Sequence, residues 1–118
     1  MSVNTAKNHY LGKEGYTRMN CAQSVISAFK EKYNLSTEAI EAFRNFGTGR
    51  APEGLCGALY AAKYIFEKYA AVEKSIELEK YFFDQAGAVK CDEIRMRKKL
   101  SCLGCVEKCA EFFRERII

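Results

Sequence analysis

The sequence predicts an all-α protein, with residues 1–118 forming a single helical domain built as one compact multi-helix bundle. Apolar side chains recur at helix-face spacing through nearly the whole chain. Residues that cap helices, Asn20, Ser36 and Ser101 among them, stand where these stripes begin. No two consecutive segments read as a β-hairpin. A chain of 118 residues suggests one domain and can bury roughly two thirds of its unfolded surface, so it needs no covalent staples.

The elements follow in order. Residues 4–14 read as a short first helix. In "NCAQSVISAFKEKY", Cys21, Val25, Ala28 and Phe29 share a helix face, Asn20 is the N-cap, and Gln23 stands where a capping-box partner belongs. "STEAIEAFRNF" opens on Ser36 or Thr37 as cap and carries Ile40, Phe43 and Phe46 on one side. "FGTGRAPEG", residues 46–54, breaks the pattern with three glycines and the only proline. Glycines before a helix can cradle a phosphate, but Gly47 and Gly49 read more simply as a loop. A helix then runs from about Pro52 to Tyr69. "VEKSIELEKYFFDQAG" places Ile76, Tyr81 and Phe82 along one side, with Gly87 as its stop. A short helical turn starts at Asp92, and Ser101 caps a last helix that reaches about Glu115.

Composition narrows the function classes. The N-terminal "MSVNTAKNHYLGKEG" lacks the apolar core of a signal peptide, and no stretch approaches the ~20 apolar residues of a membrane span. The expected location is cytoplasmic, with no membrane contact. Thiols stay reduced there, so clustered cysteines are more often metal-binding or redox-active than a disulfide framework. Net charge is +4. Its one dense patch, "RMRKK" at 95–99, reads as a solvated helix face, and nothing beside it reads bases. No nucleic-acid partner is expected.

The six cysteines are the informative residues. Cys102, Cys105, Cys109 and Phe112 step by three, four and three, which is an apolar stripe. Unpaired cysteine packs well as a small hydrophobe, and that reading suits Cys105 and Cys109. Cys102 and Cys105 also form a CxxC, but without the βαβ pattern of a thioredoxin the pair is weak evidence. Position says more than spacing. Cys21 follows the cap Asn20, Cys102 follows the cap Ser101, Cys56 lies in the first turn after Pro52 and Gly54, and Cys91 precedes Asp92. A helix N-terminus favours thiolate and lowers a thiol's pKa. In "LCGALYAAKY", Gly57 and Ala61 make a flat face that lets another helix come close and bring Cys56 to other thiols. Glycine inside a helix costs roughly 1 kcal/mol relative to alanine, so Gly57 implies a spatial demand.

"GYTRMNCAQSVISAF", "FGTGRAPEGLCGALYAA", "FFDQAGAVKCDEI" and "CLGCVEKCAEFF" together resemble the redox-active family named for its signature, C_GCAxxG_C_C, over residues 8 to 115. The resemblance makes Cys21, Cys56, Cys91 and Cys102 the four characteristic cysteines, with Cys105 a second choice for the last. Val106 and the run Cys109-Ala110-Glu111 then stand at the family's spacing after Cys102. One departure is Ala61, where the signature has glycine.

The expected function is binding of an iron–sulfur cluster, 2Fe–2S in its simplest form, or of another metal, through these four convergent cysteines, for electron transfer or redox sensing. The gaps between them, 35, 35 and 11 residues, match no ferredoxin spacing, so the expectation rests on convergence in space. A thiol–disulfide protein using the same cysteines without metal is the alternative. A structural Zn site ranks lower, because only Cys102 and Cys105 form the close pair such sites use. A helical interaction module with buried cysteines ranks last. No catalytic constellation stands beside the thiols: His9 is the only histidine and reads as a surface residue. A redox partner protein is expected, and the excess of Lys and Arg suits an acidic one.

Overall fold

The caps and stripes close into helices at nearly every place where they occur together. The structure, a computed structural model, describes residues 2–30, 33–47, 50–69 and 72–116. Among these residues the α-helices are α1 (Ser2–Leu11), α2 (Cys21–Ala28), α3 (Thr37–Ala42), α4 (Gly57–Tyr69), α5 (Val72–Ala86), α6 (Cys91–Arg97) and α7 (Cys102–Arg116). Tight 3₁₀ turns occupy Phe43–Phe46 and Pro52–Gly54. The one extended pairing among them is an isolated antiparallel bridge between Leu55 and Lys90. The protein is all-α, as the periodicity predicts.

α4 is the centre of the packing, with Ala58, Leu59, Ala61, Ala62, Ile65 and Phe66 fully buried. α2, α5 and α7 all pack against it, and α1 lies across α2 and α7. The small residues of α4 suit their spacing: Ala58, Ala61 and Ala62 are fully buried in a helix that packs against α2, α5 and α7. A Lys7–Glu107 ion pair joins α1 to α7, and a Lys63–Glu79 pair joins α4 to α5.

Four boundaries or faces differ from expectation. The first helix covers 2–11 rather than 4–14, because Gly12 takes a left-handed conformation (φ 67°) that ends it. The expected helix from Pro52 to Tyr69 is interrupted: Glu53 has left-handed backbone (φ 61°), and Cys56 stands between the 3₁₀ turn and α4. The sixth helix starts at Cys91 itself, one residue before Asp92. On α5, Ile76 is 57% exposed, and the buried stripe is Ser75, Leu78, Phe82 and Ala86. Ser75 is buried at no polar cost because its hydroxyl donates to Glu67 at 2.8 Å. Gly87 does end α5, its N–H reaching the Phe83 carbonyl at 2.7 Å. Gly49 lies outside the described residues.

Candidate functional site

Cys21 opens α2. The Asn20 side chain accepts from the Gln23 N–H at 2.7 Å, and the Gln23 side chain returns to the Asn20 N–H at 3.4 Å. This is the capping box the sequence predicts. Asn20 also donates to the Arg44 carbonyl at 2.8 Å, which pins the start of α2 to the Phe43–Phe46 turn. A Cβ on Gly47 would meet the Asn20 side chain at 2.8 Å, so that glycine serves packing rather than a phosphate.

Gly57 carries the stricter demand. A Cβ there would lie 2.5 Å from the Phe46 carbonyl and 2.7 Å from Cys21 Sγ. The missing side chain is what lets Cys21 settle against the start of α4. Cys56 is the residue just before that helix, and its carbonyl accepts from the Tyr60 N–H at 2.9 Å. Its own N–H donates to the Val89 carbonyl at 2.9 Å, beside the Leu55–Lys90 bridge. That bridge sets Cys56 next to Cys91, which opens α6. Cys102 opens α7, where the Ser101 hydroxyl accepts from the Gly104 N–H at 3.0 Å.

The four cysteines predicted to act together therefore stand at four helix starts, and they line one cavity of about 340 Å³. Tyr10, Arg18, Met19, Asn20, Gly57 and Arg95 complete its wall. Cys21 and Cys56 are buried, while Cys91 and Cys102 are half-exposed. A second cavity of about 300 Å³ adjoins it, sharing Cys56, Cys91, Cys102 and Arg95 and adding Cys105. Cys105 is buried, and its thiol is hydrogen-bonded to that of Cys56. Cys109 lines neither cavity and is fully buried in the apolar core. A larger groove of about 810 Å³ runs between α1, α2 and α3 past His9, Arg18 and Arg44, and no cysteine lines it.

The electrostatics correct one expectation. A thiol at a helix start is expected to ionise easily, yet Cys56 is held well above its ordinary value. The thiol contact with Cys105 and burial outweigh the N–H groups of Leu59 and Ala58 that bond its sulfur. Burial also raises Cys91, against the pull of Arg95. Neighbouring thiols add to both shifts, because thiolates side by side repel one another. Tyr10 is pushed up to about 12, by burial first and then by Cys102, to which it is hydrogen-bonded. Arg95 is held protonated by Cys91 and bonds Cys102 as well. The basic run at 95–99 is thus exposed as expected, but its first residue belongs to the thiol cavity.

Among the described residues, no three His, Cys, Asp or Glu side chains stand close enough together to hold a metal ion as placed. The donor set fits such a group in kind: four thiols face one cavity, two arginines edge it, and no carboxylate lines it. Cys₄ is the ligand set of iron–sulfur clusters. Tyr10, Arg18 and Arg95 carry no signal in the sequence. Tyr10 reaches the site from α1 and Arg18 from the loop after it, three residues before Cys21. His9 sits on α1 as expected, its Nδ1–H donating to the Thr17 carbonyl at 2.8 Å.

The model of the family described as "Putative redox-active protein (C_GCAxxG_C_C)" matches residues 19–116. No curated protein and no solved structure matches the chain. No helix among the described residues is long and apolar enough to cross a membrane.

Proposed function

The chain belongs to the redox-active C_GCAxxG_C_C family, and from that membership we propose that Cys21, Cys56, Cys91 and Cys102 together hold an iron–sulfur cluster used for electron transfer or redox sensing. One observation carries this reading: four thiols from four separate helix starts face a single cavity of about 340 Å³. Cysteines packed only as small hydrophobes have no reason to share one hollow with two arginines.

When bound, the cluster supplies a one-electron couple whose potential follows net charge, hydrogen bonds to sulfur and solvent exposure. The chain provides each of those controls. Arg18 and Arg95 offset the negative charge of the thiolates. Tyr10 and Arg95 direct hydrogen-bond donors at Cys102. Cys21 and Cys56 form the dry side of the site, and Cys91 and Cys102 face the side from which a partner protein would approach. A reducing, cytoplasmic compartment suits thiols of this kind.

A second reading is favoured by the spacing of the donors, since among the described residues no three stand together within reach of one metal ion. In it the same cysteines cycle as thiol and disulfide without metal. Anaerobic purification followed by a visible spectrum and iron, sulfide and zinc analysis separates the two. The cluster reading expects iron and sulfide in equal amounts, with Cys102→Ser losing most of both and Cys109→Ala keeping them. Iron-free protein that takes up and releases electrons reversibly through its thiols supports the second reading. Equal loss of iron in both variants means that the cluster is not built on Cys102.

A further inference from the structure

We propose that Cys105 is a fifth redox thiol of this site, and that it captures Cys56 as a disulfide when the metal-free site meets a peroxide. The inference rests on the cysteine site described above, but not on which metal that site holds. Cys105 lies one helical turn beyond Cys102 on α7 and is 2% exposed. It faces Cys56, Cys91 and Cys102 across the second cavity. Its thiol lies within hydrogen-bonding reach of Cys56. Cys109, one turn further along, lines neither cavity. Two cysteines on one apolar stripe are thereby divided, one to the site and one to the core.

Cys56 lines both cavities and Cys105 only the second, so peroxide that enters past the half-exposed Cys91 and Cys102 can reach Cys56, whose burial and raised pKa make the attack slow. Cys56 sulfur attacks one oxygen of the peroxide. An S–O bond forms, the O–O bond breaks, and water leaves with the thiol proton. Cys105 sulfur then attacks the sulfenic sulfur of Cys56. The S–S bond forms, the S–O bond breaks, and hydroxide leaves with the Cys105 proton as a second water. Two thiols and one hydrogen peroxide thus give one disulfide and two waters. The two electrons lost by sulfur are those gained by peroxide. A sulfenic acid with no thiol beside it is oxidised further to sulfinic acid, which thiol reductants do not reverse. The buried pair keeps Cys56 on the reversible branch, so that a site stripped of metal can be reduced and rebuilt.

The test uses the full chain, with iron measured first and then removed anaerobically. The metal-free protein is treated with one equivalent of hydrogen peroxide, alkylated, digested and mapped by mass spectrometry. The expected product is a Cys56–Cys105 crosslink that dithiothreitol removes, with Cys109 recovered as free thiol. In Cys105→Ala, treated with two equivalents because each sulfinic acid consumes two peroxides, Cys56 is recovered chiefly as sulfinic acid. A Cys102–Cys105 or Cys91–Cys102 crosslink with Cys56 free overturns the proposal, and so does the absence of any crosslink. Loss of iron in Cys105→Ala also overturns it, because Cys105 would then be a ligand. Should that variant not fold, the wild-type map alone decides. An iron-free starting preparation argues against the cluster but leaves the crosslink map readable.

Discussion

Cys102 and Cys109 lie about two turns apart on one helix, and their surroundings differ sharply, although Cys109 is still close enough to Cys56 and Cys21 to be repelled by them. Cys102 begins α7, half-exposed, with Tyr10 and Arg95 bonded to it and an open cavity beside it. Cys109 is wholly buried beside Val106, Ala110 and Phe112. The same division runs through the whole bundle. Its thiol end is assembled from helix starts, caps and backbone contacts. The Cys109 end of α7 packs among rings, with Phe66 edge-on to Phe112 at 5.6 Å and Tyr81 tilted against Phe112 at 5.4 Å, while a second ring pair, Phe46 and Tyr60 at 5.2 Å, reaches the thiol end. Residue type alone does not decide what a cysteine does here. A cysteine at a helix start meets other backbone ends and water, whereas one in mid-helix meets side chains.

If the two ends are separable, damage to each should stay local. The largest effect is expected at the ring end. Phe66→Ala removes a fully buried ring and should cost about 3–5 kcal/mol in urea unfolding. Below the midpoint, the alkylation rates of Cys91 and Cys102 should match the wild type. Faster alkylation there would mean that the ring packing also holds the thiol end.

Gly57→Ala attacks the other end. The new Cβ meets the Phe46 carbonyl, a backbone group, and Cys21 Sγ, so the backbone must shift and the thiol must turn away. Overpacking of this kind costs about 1–3 kcal/mol. The distinctive sign is faster alkylation of Cys21, pushed off the start of α4, with Cys109 still protected. An unchanged Cys21 rate would show that the site does not depend on that close approach.

The smallest effect is a matter of pH. Burial, followed by repulsion from Cys56 and Cys21, raises Cys109 well above its ordinary value of 9.0. The neutral thiol in the folded protein therefore contributes stability that is complete below the unfolded value. That contribution is lost as pH climbs from about 9 toward the raised folded value. The limiting slope is about 1.4 kcal/mol per pH unit for one such group. Chemical unfolding of metal-free protein from pH 8 to 10 should give a shallower decline in Cys109→Ala than in wild type. Parallel declines would move Cys109 out of the core and toward the site.

Much of this division can be read from the sequence, and the unread part has physical causes. Asn20 with Gln23, and Ser101, mark two of the four helix starts, because capping needs particular side chains at fixed offsets. Cys56 is less legible: "PEG" looks like a helix opening, but left-handed backbone at Glu53 spends those residues on a separate turn. Ile76 misleads because its apolar side chain suggests a core face, whereas Ser75 takes the inward place through its bond to Glu67. Tyr10, Arg18 and Arg95 are ordinary surface residues by type, and only the crossing of α1 over α2 and α7 brings the first of them to the cavity. Thiol ionisation departs from the helix-start expectation for a related reason: burial depends on neighbours from other helices.

The Val89 carbonyl that receives the Cys56 N–H gives the site an intrinsic clock. That amide is outside the repeating hydrogen bonds of α4, so fraying of the helix does not release it. It can exchange its hydrogen with solvent only when the segments before α4 and α6 part. The opening free energy read from its exchange rate is therefore that of separating Cys56 from Cys91, and it can be followed whether or not anything is bound between them.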